Sequence, residues 1–318
     1  MSVSARPLPA THHDDETDLA SLEVVPSRHP WRWVGVAVVL VLLAQFAHGL
    51  ATNPGWDWPV FARYFTADSI LRAVGVTIQL TLYGTVLGFA LGVVLALMRL
   101  SRSPFLQVVS WTYVWAFRSI PLIVQLLFWF NIAYLYQRFD FGVPFGPSFF
   151  SFATKDLIGP MSAAVLGLAL HQAAYAAEIV RSGIISVDHG QLEAAAALGI
   201  PRLRQFRRIV LPQAMRSILP NAANEVISLF KGTSVVSVMA IGELFYQAQV
   251  IYGRNARVVA LLMVATVWYI AMTTLLSLVQ YYLERHYAKG ALRNLPPTPL
   301  HRVRSRFAAL RAKAGATR

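Results

Sequence analysis

The chain has no cysteine among its 318 residues. That absence excludes disulfides, thiolate metal sites and a cysteine nucleophile. Charge is also scarce: only 14% of residues are Asp, Glu, Lys or Arg, against about 25% in soluble domains. No phosphate-cradling GxxxxGK[ST] loop exists, because none of the four lysines (Lys155, Lys231, Lys289, Lys313) precedes Ser or Thr. Any ATP chemistry therefore belongs to another polypeptide. There is no HExxH pair, and His171, alone on an apolar stretch, reads as a hydrogen-bonded interior residue rather than a ligand. Clustered acids, histidines or a nucleophile at one depth are missing too, which argues against a membrane enzyme.

Apolar residues make up 56% of the chain. A helix needs about 20 mostly apolar residues to cross the hydrocarbon core of a bilayer. The stretches Trp33 to Leu50, Val74 to Met98, Val108 to Tyr136, Met161 to Ala177 and Val258 to Leu283 meet or approach this length. Leu219 to Ile241 is long enough but carries Asn221, Asn224, Glu225, Ser228, Lys231, Thr233, Ser234 and Ser237, so it is predicted to be a buried span. The expected fold is an all-α integral membrane protein of about six transmembrane helices.

Six spans place both termini on one side, and the distribution of positive charge says which. With the N-terminus inside, the inner segments hold 20 of the 28 Lys and Arg residues and the outer segments six. The positive-inside rule then predicts cytoplasmic termini. The formal charge of +13 is concentrated between and after the apolar runs, a pattern that excludes a nucleic-acid-binding surface and fits contact with membrane lipid. Residues 1–30 are polar, mixed in charge and unlike a signal peptide, so a disordered cytoplasmic tail is expected there. Residues 286–318 are expected to form a basic cytoplasmic tail.

Within the spans, Gly84, Gly88 and Gly92 recur every four residues and make a strip on which another helix can approach closely. Asn221, Asn224, Ser228, Lys231 and Ser234, three or four apart, share a helical face that should not meet lipid; it could line a solute path or pack against a second subunit. Arg118 carries the same argument, and Pro121 beside it predicts a kink.

The segment between the fourth and fifth spans reads DHGQLEAAAALGIPRLRQFRRIVLPQAMRSILP. Gln191 to Leu198 are nearly all strong helix formers, Gly199 suits a stop and Pro201 suits a new start. A short helix is thus expected to turn sharply into a second. Leu203, Phe206 and Val210 share one face of that second helix, which fits a helix resting on the membrane surface.

Glu193-Ala194-Ala195, Gly199, Ile209 and Leu211-Pro212 reproduce, without a gap, the spacing of the EAA loop of ABC importer permeases. The stretches WTYVWAFRSIPLIVQL from Trp111, AAYAAEIVRSGI from Ala173, GQLEAAAALG from Gly190 and LFKGTSVVSV from Leu229 resemble the polar amino acid (histidine and glutamine) subfamily of type I, binding-protein-dependent importers. The resemblance spans residues 71–285 and leaves 31–50 as an additional N-terminal transmembrane helix.

The resemblance implies a permease subunit in the bacterial inner membrane that binds no cofactor itself. ATP and Mg would sit on a cytoplasmic ABC ATPase dimer. Further expected partners are a second permease copy or paralogue, an extracytoplasmic solute-binding protein and a small polar solute such as an amino acid. It assigns Glu193, Ala194 and Ala195 to ATPase docking, Gly199 to the turn, and Leu211-Pro212, with Ile209, to re-entry into the membrane. Arg118, Gln125, Lys231 and Thr233 are the expected solute path, with Glu178 and Arg181 near the cytoplasmic gate, since buried cations and hydroxyls or amides could meet the two charges of a zwitterion. Ser119 and Ile120 replace the family's usual Gly-Thr, and Gly232 its usual Asp or Asn, so cargo identity does not transfer. A secondary transporter is the alternative, but no internal repeat supports it. A scaffold would leave the EAA spacing without a reason.

Overall fold

In the computed structural model the described residues are 30–143, 146 and 148–287. The expected tails at 1–30 and 286–318 lie outside them, apart from the helix ends Pro30, His286 and Tyr287. The chain divides into two units, Met1–Pro54 and Gly55–Arg318. The described part of the first unit is α1 (Pro30–Thr52) with Asn53 and Pro54, and α1 is an apolar helix long enough to cross a membrane.

The second unit is built around two long helices, α3 (Asp68–Arg99) and α8 (Pro160–Ile185). At 1.5 Å per residue they are about 48 and 39 Å long, enough to span a bilayer. Around them run α2 (Trp58–Phe65), α4 (Pro104–Ser119), α5 (Leu122–Phe130) and α6 (Ile132–Leu135). A hairpin, β1 (Arg138–Gly142) and β2 (Ser148–Ala153), then leads through α7 (Thr154–Leu157) into α8. After α8 come α9 (His189–Ala197), α10 (Arg202–Gln205), α11 (Leu211–Gly232), α12 (Leu244–Asn255) and α13 (Val258–Tyr287). Among the described residues four helices are long and apolar enough to cross a membrane, and six spans result if each of two bent helix pairs counts as one.

The glycine strip is where α3 and α8 meet. A Cβ on Gly88 would lie 2.5 Å from Gln172 Cβ, and one on Gly92 2.5 Å from Ala176 Cβ. Ala169, Ala173, Ala176 and Ala177 of α8, all buried, lie against these glycines. In lipid, where no hydrophobic effect drives helices together, such small residues allow the close backbone approach that dispersion requires. Leu80, Leu126, Leu168, Leu229 and Val236 form one core on this axis, and Ile70, Leu244, Leu261 and Val264 a second nearer α2 and α13.

The two bends have identifiable causes. Between α4 and α5 the axis turns by 103° at Ile120-Pro121, where a kink was expected. Pro121 has no N–H to give Phe117 four residues back, and Gln125 Nε2 takes its place, donating to Phe117 O and Ile120 O at 2.7 Å each. The second bend, 46°, separates the helical path Arg202–Met239, which contains α11, from α12. There α11 tightens into a 3-10 segment, Thr233–Met239, and stops at Ala240, whose φ is 56°. Glu243, fully buried, then caps α12: its carboxylate accepts from Phe245 N at 2.9 Å, Tyr246 N at 2.6 Å and Tyr269 Oη at 3.2 Å. Leu244 N donates to Thr77 Oγ1 of α3 at 3.0 Å, fastening the same corner to the central pair.

The helical membrane fold expected from the sequence is found, with the small β1–β2 hairpin added between two spans. One expectation needs correction. The second helix of the EAA segment does not rest as a separate surface helix before re-entry at Leu211-Pro212. Arg202 to Met239 is one helical path, in which Leu211 N reaches back five residues to Phe206 O. This π turn widens the helix just before Pro212, giving the ring room that a regular turn would deny. Leu203 is 62% exposed and Val210 buried, so the predicted face is split.

Candidate functional site

Two places in the second unit combine polar chemistry with defined geometry. The first is an open groove of about 380 Å³ lined by Trp111, Trp115, Arg118 and Ser119 of α4, Tyr175 and Glu178 of α8, and Arg99 of α3. The bend after Ser119 ends α4 at this level and leaves Arg118 beside α8. Its guanidinium carbon lies 5.3 Å from the Tyr175 ring centroid, a cation–π contact. Trp111 and Trp115 stack in parallel with centroids 6.1 Å apart.

At the other end of the groove, Glu178 joins two cations. Its Oε1 is 3.3 Å from Arg99 Nη1, and its Oε2 receives Arg181 through Nε at 3.0 Å and Nη2 at 2.9 Å. The triad ties the end of α3 to α8 with a net positive charge, and Arg118 adds another. The groove therefore offers a carboxylate two things: a guanidinium held over an aromatic ring, and flat indole surface beside it.

The structure brings together Arg118, Glu178 and Arg181 of the expected solute path and separates the other three. Gln125 is buried and spends its donors on the helix break. Thr233 is fully buried and donates to Phe230 O at 2.7 Å. Both are assigned here to internal structure rather than to the groove. Lys231 is exposed at the end of α11, on the same face as exposed Asn221, Asn224 and Ser228. Asn224 accepts from Gln280 of α13 at 3.0 Å.

The second place is the α9–α10 elbow. Asp188 caps α9 by accepting from Gly190 N at 2.7 Å. The helix ends with Gly199 N on Ala196 O at 2.9 Å and Ile200 N on Ala195 O at 3.1 Å, the paired bonds of a Schellman stop. Gly199 sits at φ 66°, a left-handed conformation that costs other residues about 1 kcal/mol or more. Glu193 and Ala194 are exposed, whereas Ala195 is 3% exposed and faces inward, which corrects its expected place on a docking surface. Leu211 and Pro212 are exposed and Ile209 is partly buried, all on the continuous helix. Leu198, 79% exposed beside Gly199, was not singled out from the sequence, although an unburied leucine on a helix end is a usable signal.

A bundle of spanning helices with a charged groove and a rigid helical elbow defines a multi-pass membrane transport subunit. The family of binding-protein-dependent transport system inner membrane components matches residues 88–289, and the chain belongs to it. The arginine transport system permease protein ArgU of Corynebacterium glutamicum is 42% identical over 279 residues, 86% of this chain and 85% of its own. The L-cystine transport system permease protein TcyB of Bacillus subtilis is 35% identical over 243 residues, 74% of this chain and 92% of its own. A solved amino acid ABC transporter crystallised with histidines contains a chain that matches with a TM-score of 0.59 and 31% identity, over 69% of this chain and 94% of that one.

Proposed function

We propose that this permease imports a polar amino acid, and that α9 is the element through which a separate cytoplasmic ATPase drives it. The carrying observation is the elbow: a capped helix with exposed Glu193 and Ala194, closed by a left-handed glycine and joined through α10 to the span α11. A short helix fixed at both ends passes a displacement to the span behind it, which a flexible loop would absorb. Leu198 and Glu193 give an ATPase an apolar and an acidic contact.

Amino acid cargo is supported by the relatives' named substrates and by the groove, where Arg118 would meet a carboxylate and the stacked tryptophans a side chain. The exposed polar face of α11 fits a second permease, identical or paralogous, with the solute path between them. An extracytoplasmic binding protein would deliver the solute at the end of α8 opposite α9. This reading places both termini in the cytoplasm.

The test is ATP-dependent uptake of labelled amino acids into proteoliposomes holding the permease with its co-assembling ATPase, comparing wild type with Glu193→Arg and Gly199→Trp. Loss of uptake in both, with insertion retained and the ATPase released, supports the reading. Unchanged uptake and ATPase binding would remove α9 as the coupling element.

A further inference from the structure

The β1–β2 hairpin has no place in the transport reading, yet its paired residues are sorted by face. Antiparallel pairing sets Phe139 opposite Phe152 and Phe141 opposite Phe150. Side chains alternate across a strand, so these four phenylalanines occupy one face. Arg138, Asp140 and Ser151 occupy the other, where Arg138 Nε donates to Ser151 Oγ at 2.9 Å, and the exposed Phe149 falls unpaired at the register shift next to Phe141. The apolar face is uncovered among the described residues: Phe141 is 59% and Phe150 67% exposed.

An isolated two-stranded hairpin is marginal in water, and one with Phe141, Phe150 and Phe152 exposed on a single face needs a cover. The chain restricts where that cover can be. Only Tyr136 and Gln137 separate β1 from α6, whose Tyr134 and Leu135 are exposed, and α7 follows β2 directly. Thr154 clamps the base, its N–H donating to Gln137 O at 3.0 Å and its hydroxyl to Tyr136 O. Five strand residues reach only about 17 Å from that clamp. The phenylalanine face is thus held near the ends of α5 and α8, and α5 also exposes apolar Val124, Leu127 and Phe128. Phenyl rings carry no hydrogen-bonding group, so this face offers a soluble partner no polar registration, whereas the acyl boundary of a bilayer requires none.

We propose that the hairpin is a membrane-interface anchor, its phenylalanine face seated at the headgroup and acyl-chain boundary and its Arg138–Asp140–Ser151 face turned to water, at the end of α8 away from α9. The chain lacks cysteine, so a single introduced thiol is a unique label. Nitroxide is attached to Phe150→Cys or Ser151→Cys in the full-length chain in lipid nanodiscs, and collisions are measured with oxygen, which partitions into lipid, and with a water-soluble nickel chelate. The expected result is a reversal between neighbours: oxygen above nickel at 150, nickel above oxygen at 151. Phe141→Cys repeats the test on the other strand should position 150 not tolerate the label. Nickel access to both positions 150 and 141 overturns the proposal. So does a face open to nickel that becomes shielded only when the extracytoplasmic binding protein is added, which would make it a protein-docking surface.

Discussion

Gly92 of α3 stands so close to Ala176 of α8 that a Cβ built on the glycine would lie 2.5 Å from the alanine Cβ and 3.0 Å from Ala173 O. At Gly88 the same construction meets Gln172 Cβ at 2.5 Å and Ala169 O at 3.0 Å. Backbone oxygens of a packed helix cannot step aside, so relief must come from separating α3 and α8. Gly88→Ala and Gly92→Ala are expected to destabilise the chain by about 1–3 kcal/mol, the usual cost of overpacking. Gly75→Ala, with nothing within 4 Å, is expected to be neutral or stabilising by up to about 1 kcal/mol. Thermal unfolding of the purified chain in detergent checks both; equal effects at Gly75 and Gly92 would contradict the close-approach account.

Much of this arrangement was legible in the sequence. Four-residue glycine spacing identified the strip that α3 presents to α8, and Pro121 identified the bend. What the sequence concealed was rotation and alternation. Lys231 and Thr233 were read on one path by their chemistry, a cation and a hydroxyl for the two charges of a zwitterion, but residues two apart lie on opposite sides of a helix, so Lys231 is exposed and Thr233 is in the core. The hairpin was overlooked because RFDFG and SFFSFA fall between the stretches ending at Tyr136 and starting at Met161, where only a connection between spans was expected, although alternate phenylalanines are a two-residue period. Gln125 was assigned to solute by its polarity, when the carbonyl orphaned by Pro121 already claims its amide.

That amide can be tested directly. Gln125→Leu leaves Phe117 O and Ile120 O without their side-chain donor, and Gln125→Glu replaces the donor with a second acceptor. A buried carbonyl without a partner costs about 1–3 kcal/mol, so both variants should lower the unfolding midpoint, Gln125→Glu more than Gln125→Leu. If instead stability holds and only solute affinity falls, Gln125 lies on the path after all.

Glu178 bridges Arg99 and Arg181 from half-open positions, its side chain 24% exposed and theirs 25% and 30%. Partly solvated pairs contribute about 0.2–1 kcal/mol, so Glu178→Gln should alter the unfolding midpoint little. Transport should suffer more, because two arginines released at the groove end add unbalanced positive charge. Uptake in proteoliposomes is expected to fall at least about tenfold, the rate equivalent of 1.4 kcal/mol. A large loss of stability with uptake preserved would make the triad a structural clamp alone.

The corner at Glu243 gathers several polar contacts on one buried side chain. One carboxylate serves two backbone N–H groups at the start of α12 and the Tyr269 hydroxyl of α13, all within a buried bend. Glu243→Ala strands three donors at once, and with about 1–3 kcal/mol for each unsatisfied group the expected loss is about 3 kcal/mol or more. Glu243→Gln keeps one acceptor oxygen and should lose less. Tyr269→Phe removes a single donor and leaves the cap, so its cost should be the smallest of the three. The order Ala, Gln, Phe in unfolding midpoints, lowest first, is the signature of a carboxylate acting as the pivot of the bend. If Tyr269→Phe matched Glu243→Ala, the tie to α13 would hold the corner and the helix cap would be incidental.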